Sequence, residues 1–386
     1  MYQLYFAERD TTLYERFPNQ NTGIDQILEL TKIASGSKVD DKIQANTTNT
    51  RFLIDFGTQI TAITTAVNNG SIPPIGNGAN SSSVYLNIKA SEASDLPLSY
   101  TLKAFPISQS WDNSNGTFAD IPETQVGSSW YNRSGDARGI SAVAWDTGSA
   151  DSYNNLGVTE REGGGTWITG SGFEASQSFE NQSPDIRMNV TDIVDKWVKG
   201  SITNNGFIVK RAYEQEINGD ILGSIKFFGR ESHTIFLPRL EVAFNDVEHS
   251  GTGSYSEISS DIYVPYFKNI RPEYRAGEKT KFRIGVRPQF PSKSYVTSSF
   301  YLTKDRLPTS SFYSISDTVT NEVIIPFDET SKNATQISCD TNGSYFKLNL
   351  DTFLPERYYK IALKVIRDGG NDTQIHDDRF YFKVVK

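Results

Sequence analysis

The chain has 386 residues; 37% are hydrophobic and 22% charged, while aromatic residues reach 12%. That length supports two to three domains, and the aromatic content belongs to a folded chain. A formal net charge of −8 argues against a nucleic-acid-binding surface spread over the molecule, and a single cysteine, Cys339, forbids an internal disulfide or a multi-cysteine metal cluster. No apolar run approaches the roughly 18 residues of a membrane span, and residues 1–10 lack the basic and apolar regions of a signal peptide.

Turn residues recur throughout and helical periodicity is scarce, so the fold class expected is all-β. Residues 82–90 alternate Val84, Leu86 and Ile88 with polar neighbours, and residues 98–107 alternate Leu98, Tyr100, Leu102 and Ala104 up to Pro106, predicting two adjacent strands. From Trp111 to Glu180 the chain is rich in Gly, Ser, Asn and Asp, yet carries Trp111, Trp130, Trp145 and Trp167. Each indole buries about 150–250 Å², so these read first as anchors pinning long loops onto a sheet. The other reading makes Trp130, Trp145 and Trp167 exposed platforms that contact a glycan or a protein partner.

One helix is predicted over 189–200, with Thr191 as N-cap, Asp192 and Asp195 near the positive end, Lys196 and Lys199 near the negative end, and Gly200 as the left-handed stop. Its apolar stripe is Ile193, Val194, Trp197 and Val198. Strands follow at 207–210, 224–228 and 239–244. Composition then shifts to small polar residues, placing a linker at 247–258 between a domain spanning 1–246 and a second spanning 259–386. Seven short strands are expected in the second, at 262–268, 280–286, 297–303, 322–327, 345–350, 358–365 and 379–385. The run Phe353-Leu-Pro-Glu-Arg-Tyr-Tyr359 resembles the corner of immunoglobulin-like and fibronectin III-like sandwiches, which implies that Tyr359 packs inward and bonds upstream backbone.

Signals for catalysis are weak. His233, His249 and His376 are scattered, no Gly-x-Ser-x-Gly elbow is present, and Cys339 reads as a small buried or edge thiol. Gly163-Gly-Gly165 lacks the Lys-Ser/Thr of a phosphate cradle and reads as a flexible loop. Acidic turns at Asp368-Gly-Gly-Asn-Asp372 and Asp146-Thr-Gly-Ser-Ala-Asp151 use the residues that hairpin turns need for backbone reasons. Arg161, Arg187, Arg211, Arg230 and Arg239, interspersed with acids, predict a solvated mixed-charge surface, with Arg230-Glu231 as a strand-end ion pair fixing a loop. No catalytic, metal-binding or cofactor-binding residue is nominated, and no cofactor is expected.

Phe6-Ala-Glu-Arg-Asp-Thr-Thr-Leu-Tyr-Glu and Asn21-Thr-Gly-Ile-Asp-Gln-Ile-Leu-Glu-Leu30 resemble the DNRLRE-type, carbohydrate-binding-module-like jelly-roll family. Arg51-Phe-Leu-Ile-Asp-Phe56, Val84-Tyr-Leu-Asn-Ile88, Trp111-Asp, the 189–197 helix, Asn205-Gly-Phe-Ile-Val209, Phe228-Gly-Arg-Glu-Ser232 and Leu237-Pro-Arg-Leu-Glu-Val242 continue the likeness, although the name-giving string is absent. The resemblance implies an N-terminal jelly-roll β-sandwich with one short helix, followed by an immunoglobulin-like or fibronectin III-like sandwich. It also implies a module of a cell-surface, extracellular or virion protein. With the acidic β composition, the lone cysteine and no export signal, the expectation is a non-enzymatic structural protein of a tailed bacteriophage virion (capsid decoration, neck or tail/baseplate). Such a protein assembles in the host bacterial cytoplasm. Its partners would be other virion proteins and copies of itself, with no nucleic acid and no membrane; the alternative is a module binding host surface glycan.

Overall fold

The structure is a computed structural model describing residues 1–34, 47–139, 141–146, 163–250, 255–290, 305–330, 332–377 and 380–386. It is all-β, with three short α-helices among the described residues. Two compact units form: one comprises Tyr5–Asn77 and Ser83–Glu241, the other Met1–Leu4, Gly78–Ser82 and Val242–Lys386.

In the first unit, a large sheet orders Ala175–Glu180, Ser99–Pro106, Phe207–Arg211, Thr47–Asp55, Ile27–Ala34, Gly223–Phe228 and Ala90–Ser94, and Arg9–Tyr14 also pairs with Thr47–Asp55. A four-stranded sheet orders Tyr2–Phe6, Arg239–Ala243, Ser83–Ile88 and Ile186–Asn189, and the division between units falls inside the first two of these strands. The alternation read from the sequence is real at Val84, Leu86 and Ile88 and at Leu102 and Ala104, all fully buried, but Leu98 is exposed and the two strands lie in different sheets rather than side by side, because each finds its hydrogen-bonding neighbours among strands distant in sequence.

The 189–200 helix is present as Thr191–Val198, and it buries Ile193, Val194 and Trp197. Gly200 takes the left-handed stop at φ +68°. The cap differs from expectation. Val190 occupies the N-cap, while the Asn189 side chain accepts from the Thr191 backbone N–H at 3.0 Å and the Thr191 hydroxyl accepts from Val84 N–H at 2.9 Å. A cross-strand bond has taken the hydroxyl that local capping would have used.

A second helix, Gly57–Asn68, was not anticipated, because Thr58, Ile60, Thr61, Ile63, Thr64, Thr65 and Val67 are β-branched residues with low helix propensity. Tertiary structure supplies what propensity withholds. Ile60 and Ile63 are buried, and the Glu8 carboxylate accepts from the Thr58 backbone N–H at 3.0 Å, capping the helix from the bend between Tyr2–Phe6 and Arg9–Tyr14.

In the second unit, two sheets carry the aromatic content. One orders Ser256–Glu257, Asp305–Arg306, Lys279–Pro288, Gly343–Asn349 and Ser338–Asp340, with Tyr263–Phe267 also on Lys279–Pro288. The other orders Glu273–Arg275, Tyr381–Val385, Arg357–Arg367, Ser311–Asp317 and Val323–Ile325, with Asp372–His376 also on Arg357–Arg367. Rings join the sheets into a sandwich-like core: Tyr313 stacks on Phe346 at 4.1 Å between centres, and Phe282 meets Phe382 at 5.5 Å. Tyr359 is buried and its hydroxyl donates to the Leu354 carbonyl at 2.8 Å, as the corner motif implied.

Two expectations shift here, and a third is not met by any described residue. Ser311–Asp317 is a central strand that Ser311, Ser314 and Ser316 concealed in the sequence. The expected strand at 297–303 lies outside the described residues. Within the expected linker, residues 248–250 bond to the strand Ser338–Asp340, with Cys339 N–H donating to Glu248 O at 2.9 Å and Ser250 N–H to Cys339 O at 3.0 Å. Cys339 is thereby buried on an edge strand, and burial raises its thiol pKa.

Candidate functional site

The tryptophans expected to form a binding surface lie in the core. Trp111, Trp130, Trp145 and Trp167 converge with Leu13, Leu53, Phe105, Ile107 and Ile208. Trp130, Trp145 and Trp167 are 1, 3 and 6% exposed, so none offers a ring face to a sugar or a partner, and their nomination as contacts is corrected. In a polar segment these indoles are the largest apolar groups, so burying them does most to tie the loops down. Their N–H groups find partners too: Trp111 Nε1 donates to Asn205 O and Trp145 Nε1 to Ser129 O, each at 2.9 Å.

A buried ion cluster sits under these rings. Arg51, in the strand Thr47–Asp55, donates to Glu216 through Nε at 3.0 Å and Nη2 at 2.9 Å, while Lys210 Nζ approaches Glu216 Oε2 at 2.9 Å. The Arg51 guanidinium lies 5.1 Å from the ring centres of both Trp130 and Trp167, and its Nη1 donates to Gly164 O at 2.7 Å. Burial opposes ionisation of Glu216, but the two cations outweigh it and hold its pKa below the ordinary value. Burial lowers the pKa of Lys210 despite that pairing.

Gly163, Gly164 and Gly165 close this cluster, and all three are buried with φ of +93°, +82° and +88°. A Cβ on Gly163 would stand 2.3 Å from Trp130 O, and one on Gly164 would stand 2.6 Å from Arg51 Nη1. The triplet is a packed lid over an indole and a guanidinium rather than the flexible loop expected.

The exposed candidate is the loop face built on residues 17–25, 113–139 and 141–145. Asn21 staples it: its Nδ2 donates to Asn113 O and Ser128 O, both at 2.8 Å, and its Oδ1 accepts from Gly23 N–H at 3.1 Å and Gly116 N–H at 3.0 Å. Every hydrogen-bonding position of this fully buried amide is used. The loops approach too closely for a side chain, since a Cβ on Gly23 would lie 2.0 Å from Asn113 O.

Beside the staple, three acids share a poorly hydrated environment. Burial drives the Asp10 carboxyl up to about 7, a shift that the Arg230 backbone N–H at 2.7 Å restrains and the Glu231 charge reinforces. Burial likewise lifts Asp25 to about 6 and raises Glu29, although Phe118 N–H donates to Asp25 at 2.9 Å. Arg230 and Glu231 form the expected ion pair next to Asp10. Above these acids Phe118 packs on Tyr14 and Phe17 at 4.9 and 5.7 Å, leaving Ile121 97% exposed at the tip. Ile24, Val126, Tyr131 and Val143 on the same loops are exposed as well. Nothing in the sequence marked Asp10 or Asp25, because their partners come from segments 220 and 93 residues away, Arg230 and Phe118.

The remaining nominees are structural. Arg211 and Arg239 are buried rather than solvated; Arg211 donates to Leu222 O at 2.9 Å and Arg239 pairs with Glu241, as does Arg187. Arg161 and residues 147–151 of one acidic turn lie outside the described residues. The other turn, 368–372, joins Arg357–Arg367 to Asp372–His376, and the Asp372 carboxylate accepts from Gln374 Nε2 at 3.2 Å. Among the described residues no group of three or more His, Cys, Asp or Glu side chains is arranged to hold a metal ion. The second unit also has an open cleft of about 510 Å³ whose lining includes Glu257, Phe312, Glu329, Ile366, Arg367 and Asp368. No family model, curated protein or solved structure matches the chain.

Proposed function

We propose that the protein is a non-enzymatic structural component of a tailed bacteriophage virion, in capsid decoration, neck or tail/baseplate, acting through protein–protein contacts with other virion proteins and copies of itself. The observation that carries this reading is the loop face of the first unit. Ile24, Phe118, Ile121, Val126, Tyr131 and Val143 are exposed on loops that Asn21 and four buried tryptophans hold in place. Apolar side chains exposed on preorganised loops lose water on docking without a large ordering penalty, which is the physics of an assembly interface. The lone cysteine and the acidic β composition suit a particle assembled in the host cytoplasm, and the jelly-roll and immunoglobulin-like sandwich assignments belong to this same proposal.

Ile121→Asp and Phe118→Asp place charge in that interface. Each should abolish incorporation into purified particles, or self-association by sedimentation, while leaving tryptophan fluorescence of the isolated chain unchanged. Unaltered incorporation and sedimentation of both variants would refute this assignment of the face.

A further inference from the structure

We propose that Asn218 is a site of self-catalysed deamidation, in which the buried Lys32 ammonium activates the Asn218 carboxamide toward the backbone nitrogen of Gly219. This goes beyond the assembly reading and rests on none of it. The chain has six Asn-Gly pairs, beginning at Asn69, Asn77, Asn115, Asn205, Asn218 and Asn342, and in each the glycine leaves the attacking nitrogen unshielded by a Cβ. The surroundings of Asn218 set it apart from the other five.

Lys32 is fully buried in Ile27–Ala34, and its Nζ reaches the end of the helix Tyr213–Ile217. There it donates to both the backbone oxygen and Oδ1 of Asn218 and, at 2.7 Å, to Gln215 O. Only a protonated amine has three N–H donors, so this gathering of carbonyl oxygens holds Lys32 as an ammonium. Asp220 N–H also donates to Asn218 Oδ1, at 3.3 Å. The oxygen that becomes negative when the carboxamide carbon is attacked therefore already carries a cation and a backbone N–H, which is the arrangement of an oxyanion hole. On the other side Asn218 Nδ2, the leaving group, donates to the Asp220 carboxylate at 2.7 Å.

The nucleophile is available. Gly219 is exposed and its N–H has no hydrogen-bond partner among the described residues, whereas those of Gly70, Gly116 and Gly206 donate to Val67 O, Asn21 Oδ1 and Asn204 Oδ1. Asn77 Nδ2 also meets a carboxylate, Asp192 at 2.9 Å, but in none of the other five pairs does a cation reach the carboxamide oxygen among the described residues.

In the first step the bond from Gly219 N to Asn218 Cγ forms and the Cγ–Nδ2 bond breaks. The Gly219 proton passes through the Asp220 carboxylate to the departing nitrogen, so ammonia leaves and a cyclic imide remains. Water, which reaches the exposed Gly219 and Asp220, then adds to the imide and opens it to aspartate or isoaspartate. The net change is amide and water to carboxylate and ammonium, with nothing oxidised or reduced. Where aspartate forms, its carboxylate meets the Lys32 ammonium and replaces a neutral acceptor with a charge-assisted pair.

Incubating the folded full chain at mildly alkaline pH and following each pair by peptide mapping and mass spectrometry tests this. Residue 218 should convert about tenfold faster than any other pair, less than the hundredfold of a water-excluded oxyanion hole because Asn218 is half-buried. It should also convert faster in the folded chain than in urea, which abolishes the arrangement. Lys32→Gln, which removes the charge, and Asp220→Ala, at an exposed position, should each slow it about tenfold. Asp220→Ala alone decides the matter where Lys32→Gln alters the circular dichroism. Equal rates at all six pairs, a faster rate at 218 in urea, or a rate that Asp220→Ala leaves unchanged overturns the proposal. A mass lower by one ammonia, with the Lys32 and Asn218 peptides joined, would make the amine the nucleophile and also overturns it. Particle incorporation of Ile121→Asp is read separately, so failure here leaves the assembly reading standing on its own test.

Discussion

Asp10→Asn is the sharpest probe of the loop face. Asp10 is fully buried in the strand Arg9–Tyr14, and burial raises its pKa from 3.8 to about 7, with Arg230 N–H and the Arg230 charge pulling it down and the Glu231 and Asp25 charges pushing it up. In the folded chain the carboxyl keeps its proton across an interval in which the unfolded chain has lost it. The stability contributed by that bound proton is fully present below pH 3.8 and is lost as pH rises through about 7. At about 1.4 kcal/mol per pH unit, the interval amounts to on the order of 4 kcal/mol. An asparagine never ionises, so its own penalty, two amide N–H donors to accommodate at about 1–3 kcal/mol, is the same at every pH. The stability of Asp10→Asn relative to wild type should therefore rise by on the order of 3–4 kcal/mol between pH 4.5 and pH 8, whichever protein is the more stable at either end. Urea unfolding followed by tryptophan fluorescence isolates the relevant unit, because all five tryptophans (111, 130, 145, 167 and 197) lie within it. Parallel pH profiles for the two proteins would refute the claim that this carboxyl is buried without a compensating charge.

Glu216→Gln leaves Arg51 and Lys210 buried around a neutral side chain, and should destabilise the first unit by about 3–5 kcal/mol in the same fluorescence assay. Asn21→Ala strands four backbone groups of the two loops; a loss on the order of 3 kcal/mol is expected, with new cleavage at 113–126 in limited proteolysis, and an unchanged digest would count against the staple. Tyr359→Phe removes one hydrogen bond to Leu354 O from the second unit and should lower its stability by about 1 kcal/mol, measured by far-ultraviolet circular dichroism, with no change in tryptophan signal.

Much of the architecture follows from local pattern. Alternation at Val84, Leu86 and Ile88, the apolar stripe of Thr191–Val198 with its Gly200 stop, and the Tyr359 corner were legible because period and turn chemistry are properties of neighbouring residues. The tryptophans of the 111–180 segment were legible as anchors for a compositional reason: a polar loop has little else to bury. Gly57–Asn68 and Ser311–Asp317 were not legible, since a Thr-rich helix and a Ser-rich central strand contradict propensity and exist through contacts supplied by other strands.

The sequence by itself determined that this is an all-β chain with aromatic cores, no internal disulfide and no multi-cysteine metal cluster. Only the tertiary structure decided which polar residues are buried and which aromatic residues are not. Arg51 and Glu216 are 165 positions apart, Asn21 and Asn113 are 92, and no spacing rule connects them. Burial is a property of the surface left after all loops have docked. The indoles that composition offered as ligands therefore became core, and Tyr358 and Tyr381 were left facing solvent.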